Sequence, residues 1–248
     1  MNYPKFKNKH LDHALITAKG YVTWKNSLKN RHTIYPQKYI LIYYPQILKH
    51  FKKIYEPEKI KFSRLITIYR YKNLGVVPIM GVGSPNATMI MEELIAIGGK
   101  EFLNIGFAGG LGSSGVFLCK KAIIDEGTSY HYDSPKEFSY PDIELTSRFE
   151  KRLKRYNLDF QKATTWTIDA PYRETKSEVQ YYEKHGVRTV EMEASALFTL
   201  AKIRKVKIAA GFVVSDILRE DMWHPQFDVK TVNNKLLQLF DVAVKCLL

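Results

Sequence analysis

The chain has 248 residues, enough for one large α/β domain or two small ones. Hydrophobic residues at 45% and charged residues at 25% exclude a disordered or collagen-like chain, and no apolar run reaches the roughly 20 residues of a transmembrane helix. Lys plus Arg number 38 against 25 Asp plus Glu, a net charge of +13; the basic residues are scattered, which reads as a solvated surface rather than a patch for nucleic acid or membrane.

The first residues, MNYPKFKNKHLDH, lack the apolar core of a signal peptide, so a soluble, cytoplasmic protein is expected. Two cysteines, Cys119 and Cys246, cannot build a disulfide framework or a four-thiolate metal site, and no metal is expected.

Residues 1–38 are polar and aromatic without a clear period, and read as an extension packed on the core, with a helix around His10–Lys19. Residues 39–248 read as the domain itself. Tyr39–Tyr44 is a short β-prone run of the kind buried on both sheet faces. Pro45 ends it, and Ile47, Leu48, Phe51 and Ile54 recur at helical spacing. A strand is expected at Leu65–Tyr71 and another at Val76–Met80, where Pro78 argues for an irregular or edge position.

In Gly81–Gly99, Ser84 is expected to cap a helix with Pro85 in its first turn. Ala87, Ile90, Met91, Leu94 and Ile95 then share one helical face, and Gly98–Gly99 close the helix. Phe102–Ala108 follows as a strand and Gly109–Gly112 as a tight loop. Strand, glycine turn, helix, strand is a βαβ crossover, which implies a mostly parallel sheet with helices on its faces. Strands are further expected at Val116–Ile124, Ala163–Ile168, Thr189–Val190 and Lys207–Asp216. Helices are expected within Pro141–Asn157, near Ser177–His185, at Glu191–Lys205 and at Val229–Leu247.

Ligands of open parallel sheets bind beyond the carboxyl ends of strands. Three such ends are polar or glycine-rich here: Gly81–Pro85, Gly106–Gly112 and Ser215–Asp216. Glu191-Met192-Glu193-Ala194-Ser195 adds a fourth element. Gly81 and Gly83 ahead of a helix allow close backbone approach to an anion, or simply a tight turn. Their spacing departs from G-x-G-x-x-G followed by an acidic residue about 20 positions on, which disfavours a dinucleotide. Glu191 and Glu193 could complement a helix dipole or act as buried carboxylates with partners. Asp216 could be a cap or an acid poised by burial.

Taken together and in this order, GVGSPNA, NIGFAGGL, VEMEASALF and GFVVSDIL resemble the nucleoside phosphorylase and nucleosidase superfamily, of the purine-nucleoside and uridine phosphorylase type. TIDAPYRET (Thr167–Thr175) and the N-terminal extension are similar to its uridine-phosphorylase-related branch. The resemblance runs from Tyr39 to the C-terminus. It implies a single-domain three-layer α/β sandwich with a central, mostly parallel mixed sheet, assembled as a homo-oligomer, dimer or hexamer.

The resemblance also implies cleavage of a nucleoside N-glycosidic bond, with phosphate as co-substrate and no other cofactor. Glu193 would grip the ribose hydroxyls near the developing cation, with Met192 on the sugar face and Glu191 beside it. Asp216 would protonate the purine N7, a need that favours a purine over uridine. Tyr172 would lie against the base and Arg173 read it; Phe107, Ala108 and Gly109 would line the substrate site. Phosphate would sit over Gly81, Gly83 and Asn104, reached by Arg64, with Arg70 as a possible aid. His10 or His13 would reach a neighbouring subunit's ribose.

The sequence departs from this pattern where phosphate should be held. The Gly-Asp-Pro-x-Arg element after the first strand is replaced by Tyr43-Tyr44-Pro45-Gln46-Ile47, an arginine by Asn104 and a threonine by Phe107. Asn104-Ile-Gly-Phe-Ala-Gly-Gly-Leu is closer to the hydrolytic branch, whose water-activating glutamate is also absent; Gln46 cannot act as a base. Phosphorolysis is therefore the first expectation, hydrolysis the second, and a nucleoside-binding protein without activity the third.

Overall fold

The structure, a computed structural model, describes residues 4–27, 33–134, 136–219, 222–227 and 229–248. Residues 1–3 and 28–32 of the expected extension fall outside them. The elements run α1 (Ala18–Ser27), β1 (Lys38–Ile42), α2 (Pro45–Tyr55), β2 (Glu58–Lys61), β3 (Thr67–Tyr71) and β4 (Leu74–Pro78). Then come α3 (Ser84–Ala96), β5 (Glu101–Leu111), β6 (Val116–Asp125), α4 (Ser129–Tyr132), β7 (Phe138–Ser139), α5 (Ile143–Arg155) and β8 (Gln161–Ile168). The chain ends with α6 (Lys176–Lys184), β9 (Val187–Glu191), α7 (Ala194–Arg204), β10 (Lys207–Arg219), β11 (Met222–Pro225) and α8 (Lys230–Leu247).

Alternation along the strands builds three layers. Tyr39 and Leu41 of β1 pack with Phe102, Ile90, Leu94 and Leu197 under α3 and α7. Ile40 and Ile42 point the other way, with Leu103 and Ile105, into Phe51, Phe149 and Phe240 of α2, α5 and α8. Burying each such phenylalanine contributes about 1.5–3 kcal/mol. Strands covered on both faces need the continuous apolar runs seen in the sequence.

The sheet is mixed, with parallel neighbours β4, β1, β5 and β10 at its centre. It also closes on itself: β5 pairs β10, β10 pairs β6, β6 pairs β8, β8 pairs β9, and β9 returns to β5. Pro78 is the last residue of β4, an interior strand between β1 and β3, so its missing N–H interrupts no ladder bond further along; Ile79 N–H already reaches the Ile42 carbonyl at 2.7 Å.

Several sequence expectations change. Gly109–Leu111 continue β5 instead of forming a loop, because β9 and β10 close in on both sides. A Cβ on Gly109 would meet Leu218 at 2.7 Å and Val190 at 2.9 Å. These glycines permit strand crowding rather than a turn; the chain turns at Gly112, φ +58°. Gly83, at φ +106°, is the N-cap of α3, and Ser84 is its first helical residue rather than its cap. Glu191 ends β9, and α7 starts only at Ala194. The N-terminal helix lies at Ala18–Ser27, preceded by a single 3-10 turn at Lys9–Leu11. Among the described residues, no helix is long and apolar enough to cross a membrane.

Candidate functional site

The site gathers around Gly109 in β5. On one side Gly109 pairs with Val190 of β9, and on the other with Asp216 of β10. Glu191, Met192 and Glu193 follow directly after Val190. The two acidic elements singled out in the sequence thus flank one glycine position.

Glu193 is buried, at 7% exposure, and its Oε1 accepts a hydrogen bond from the Gly83 N–H at 2.6 Å. The Ser84 hydroxyl donates to the Met192 carbonyl at 2.7 Å. These two bonds tie the glycine turn after β4 to the β9–α7 junction. The turn itself is fixed by Asn86, whose amide donates to the Met80 carbonyl at 2.8 Å.

Glu191 turns inward. Its Oε2 accepts from the N–H groups of Glu193 (2.9 Å) and Ala194 (2.8 Å), and its Oε1 from the Thr167 hydroxyl at 2.5 Å. It therefore satisfies the otherwise unpaired N–H groups at the start of α7, which carry positive potential. Thr167 in turn accepts from Ser195 N–H at 3.1 Å, and the Ser195 hydroxyl donates to Glu126 at 3.0 Å. Burial pushes Glu191 and Glu193 above the usual carboxylate range, and the charge of Glu191 raises Glu193 further.

Asp216 sits just past a bulge at Ser215 in β10. Its Oδ1 accepts from the Ser215 hydroxyl at 2.8 Å and its Oδ2 from Trp223 Nε1–H at 2.9 Å. β11 folds back on β10 in antiparallel register and brings Trp223 over the carboxylate. Ala108 and Gly109 are the β5 residues alongside this segment.

The expected nucleophile end has a different character. Tyr43 and Asn104 lie on the α3–α7 side, and the Tyr43 hydroxyl donates to Asn104 Oδ1 at 2.8 Å. Asn104 is fully buried, and its Nδ2 has no partner among the described residues. The Tyr43 phenol is held well above its ordinary value by burial, then by the charges of Glu193 and Glu191. The ring covers Gly106, where a Cβ would come within 3.3 Å of it. Phe107 points to the opposite face, edge-on to Tyr44 with ring centroids 4.4 Å apart. The structure thus brings Gly83, Asn104 and Glu193 to one side of the sheet and Phe107 to the other.

The remaining expected residues lie on the rim. Gly81, at φ +85°, is exposed. Arg64 is exposed in the β2–β3 turn, beyond the end of β4 where Gly81 follows. Arg70 is engaged elsewhere, with Glu58 and with the Ile34 carbonyl. Tyr172 is 99% exposed, and Arg173 is exposed beside it on the 3-10 turn Pro171–Arg173. His10 and His13 line a cleft of about 1050 Å³ with Thr88 and Met89 of α3, which neither Glu193 nor Asp216 lines.

Sequence reasoning missed Thr167 as the Glu191 partner, Glu126 beneath it, and Trp223 on Asp216. Trp223 stands in MWHPQF, where attention falls on the histidine; an indole N–H a few residues past a strand-end aspartate is the available signal.

A sequence model of the phosphorylase superfamily matches residues 43–247. Over 134 residues, 52% of this chain and 56% of its relative, the chain is 26% identical to guanosine phosphorylase of Halorubrum lacusprofundi. Over 168 residues, 60% and 61% of the two chains, it is 27% identical to uridine phosphorylase of Thermococcus kodakarensis. It therefore spans under two thirds of the length of both relatives. AMP nucleosidase of Bacteroides thetaiotaomicron shares the fold, with a TM-score of 0.74 at 22% identity over 93% of this chain and 97% of that one. The family model spans most of the chain, and the chain belongs to the phosphorylase superfamily.

Proposed function

We propose that this chain cleaves the N-glycosidic bond of a nucleoside, with a purine as the departing base. One observation supports it above the others: Asp216 and the Glu191–Glu193 segment flank Gly109 from opposite strands. Breaking the bond leaves positive charge on the sugar and negative charge on the base. Glu193, one oxygen fixed by Gly83, offers the other to the ribose hydroxyls beside the developing cation. Asp216, anchored by Ser215 and Trp223, stands at the base end as the group that hands a proton to N7.

Phosphate as nucleophile, yielding free base and ribose-1-phosphate, is supported by the position of Arg64 and by relatives named as phosphorylases. Phosphate is then a co-substrate and no other cofactor enters. Water is the second reading, and the Tyr43–Asn104 pair favours it. A phosphate dianion beside two buried carboxylates needs cations, and the groups meeting there are a phenol and an amide.

Assembly into a homo-oligomer is part of the same proposal. Phe6, Leu11, Leu15, Ile16 and Trp24 are all exposed on the N-terminal segment, more apolar surface than a monomer usually leaves bare.

The test is product analysis with a nucleoside panel, with and without phosphate. Ribose-1-phosphate formed only with phosphate supports phosphorolysis, and free ribose in phosphate-free buffer supports hydrolysis. Absence of base release from every nucleoside would sink both.

A further inference from the structure

Glu193 is the N-cap of α7, yet its side chain makes no capping hydrogen bond; its Oε1 takes the Gly83 N–H instead. An N-cap side chain ordinarily accepts from the N–H of the second or third helical residue. In α7 the second helical residue is Ser195, and its N–H is taken by Thr167 Oγ1 at 3.1 Å. The N–H groups of Glu193 and Ala194 are taken by Glu191 Oε2, at 2.9 and 2.8 Å. Three consecutive N–H groups are thus satisfied from outside the helix. The Glu193 carboxyl is released from the task its position would give it.

The Thr167 hydroxyl joins the two substitutes. β8 and β9 run parallel with Thr167 directly opposite Glu191, so both side chains leave the sheet on the same face. The hydroxyl donates to Glu191 Oε1 at 2.5 Å, and Glu191 then has a donor on each oxygen. Turning Glu191 toward a ligand would break three hydrogen bonds, and Thr167 beside it is fully buried. On the far side the Ser195 hydroxyl donates to Glu126, which also accepts from the N–H groups of Thr128 (2.6 Å) and Ser129 (3.1 Å). Of the two glutamates in the segment, Glu191 is spent on the protein and Glu193 is the one left for a substrate.

We propose that Thr167 is a positioning residue for ribose recognition: by capping Ser195 and fixing Glu191, it keeps the Glu193 carboxyl off its own helix and available to the 2′- and 3′-hydroxyls of the sugar. This role rests on the cleavage reading given above, with Glu193 as the ribose acceptor. Without the Thr167 hydroxyl, the Ser195 N–H loses its acceptor and Glu191 Oε1 loses its donor. The open Ser195 N–H is the one an ordinary N-cap side chain serves, so it competes with Gly83 and the sugar for the Glu193 carboxyl. Thr167 acts through Glu193 and touches neither base nor nucleophile.

The experiment reads a specificity ratio, which a displaced Glu193 changes and a general loss of stability does not. Turnover of inosine, adenosine and guanosine is compared with that of their 2′,3′-dideoxy analogues, which offer Glu193 no hydroxyl. Thr167→Val keeps the shape and removes the hydroxyl. It should lower kcat/KM for the ribonucleosides about tenfold or more and leave the dideoxy analogues within about twofold. Thr167→Ser, which keeps the hydroxyl, should return the ribonucleoside rate to within about threefold of wild type. If the valine variant does not fold, Thr167→Cys, with its weak thiol donor, should show the same selective loss in smaller measure. Equal losses on both sugar classes would mean that Thr167 only stabilises the start of α7. An unchanged ratio, or a wild type with no preference for ribonucleosides, would equally overturn the proposal. Wild-type protein that cleaves no nucleoside of either class overturns the cleavage reading and this role with it, an outcome distinct from the others.

Discussion

The two ends of the candidate site are built from opposite materials. At the proposed bond-breaking end, the carboxyl groups of Glu193, Glu191 and Asp216 are fixed by backbone N–H groups, hydroxyls and an indole. At the proposed nucleophile end, Tyr43 and Asn104 pair with each other, and Phe107 turns away to Tyr44. The first end buries acidic side chains and anchors each with donors; the second is a phenol and an amide and keeps an unspent amide N–H. Within one fold, the groups that stabilise the sugar cation and the leaving base can persist while the anion grip is rebuilt, which is why the fold alone does not name the nucleophile.

The contrast yields graded predictions. The largest effect belongs to Asp216→Asn, which removes the acid and keeps the shape. The kcat for purine nucleosides should fall about 10²–10⁴-fold with KM little changed. Purine turnover at the wild-type rate would remove Asp216 from the chemistry.

Glu193→Ala comes next. Losing the acceptor for the ribose hydroxyls should weaken binding by about 1–3 kcal/mol, and the preference for ribosides over dideoxyribosides should vanish. Calorimetric titration reads both, and unaltered affinity would count against ribose recognition.

At the other end, Tyr43→Phe strips Asn104 Oδ1 of its donor inside the core, and should cost about 1–3 kcal/mol in urea unfolding. An unchanged midpoint would show that the amide finds another partner and that the pair does not hold this end shut.

The smallest effect is in pH. Folding raises the affinity of Glu193 for its proton above that of the unfolded chain, so the wild type loses stability as pH rises from the ordinary carboxylate range near 4.5. Glu193→Gln has no such loss, and its melting temperature relative to wild type should climb between acid and neutral pH. A constant difference would mean that Glu193 is not held protonated by burial.

Much of this architecture was legible in the sequence because buried parallel strands and one-faced helices write strong patterns. Tyr39–Tyr44 and Lys207–Asp216 show the first, and Ala87–Ile95 the second. Short edge strands such as Glu58–Lys61 and Met222–Pro225 expose most of their side chains and leave no such pattern. In the sequence Gly109–Gly112 is indistinguishable from a loop because glycine marks both turns and strand crowding, and only the neighbouring strands distinguish them. The carboxylates stood out as acids among apolar residues. Their donors did not, since Thr167, Ser195, Gly83 and Trp223 come from separate stretches and meet only through the sheet.

The most direct measurement is chromatographic base release from purine nucleosides by wild-type protein and by the Asp216→Asn/Glu193→Ala double variant, each in phosphate and in phosphate-free buffer. The expected result is free purine from the wild type in at least one buffer and none above the uncatalysed rate from the double variant. A wild type that releases no base in either buffer, or a double variant that matches it, would contradict the assignment of bond cleavage to Glu193 and Asp216.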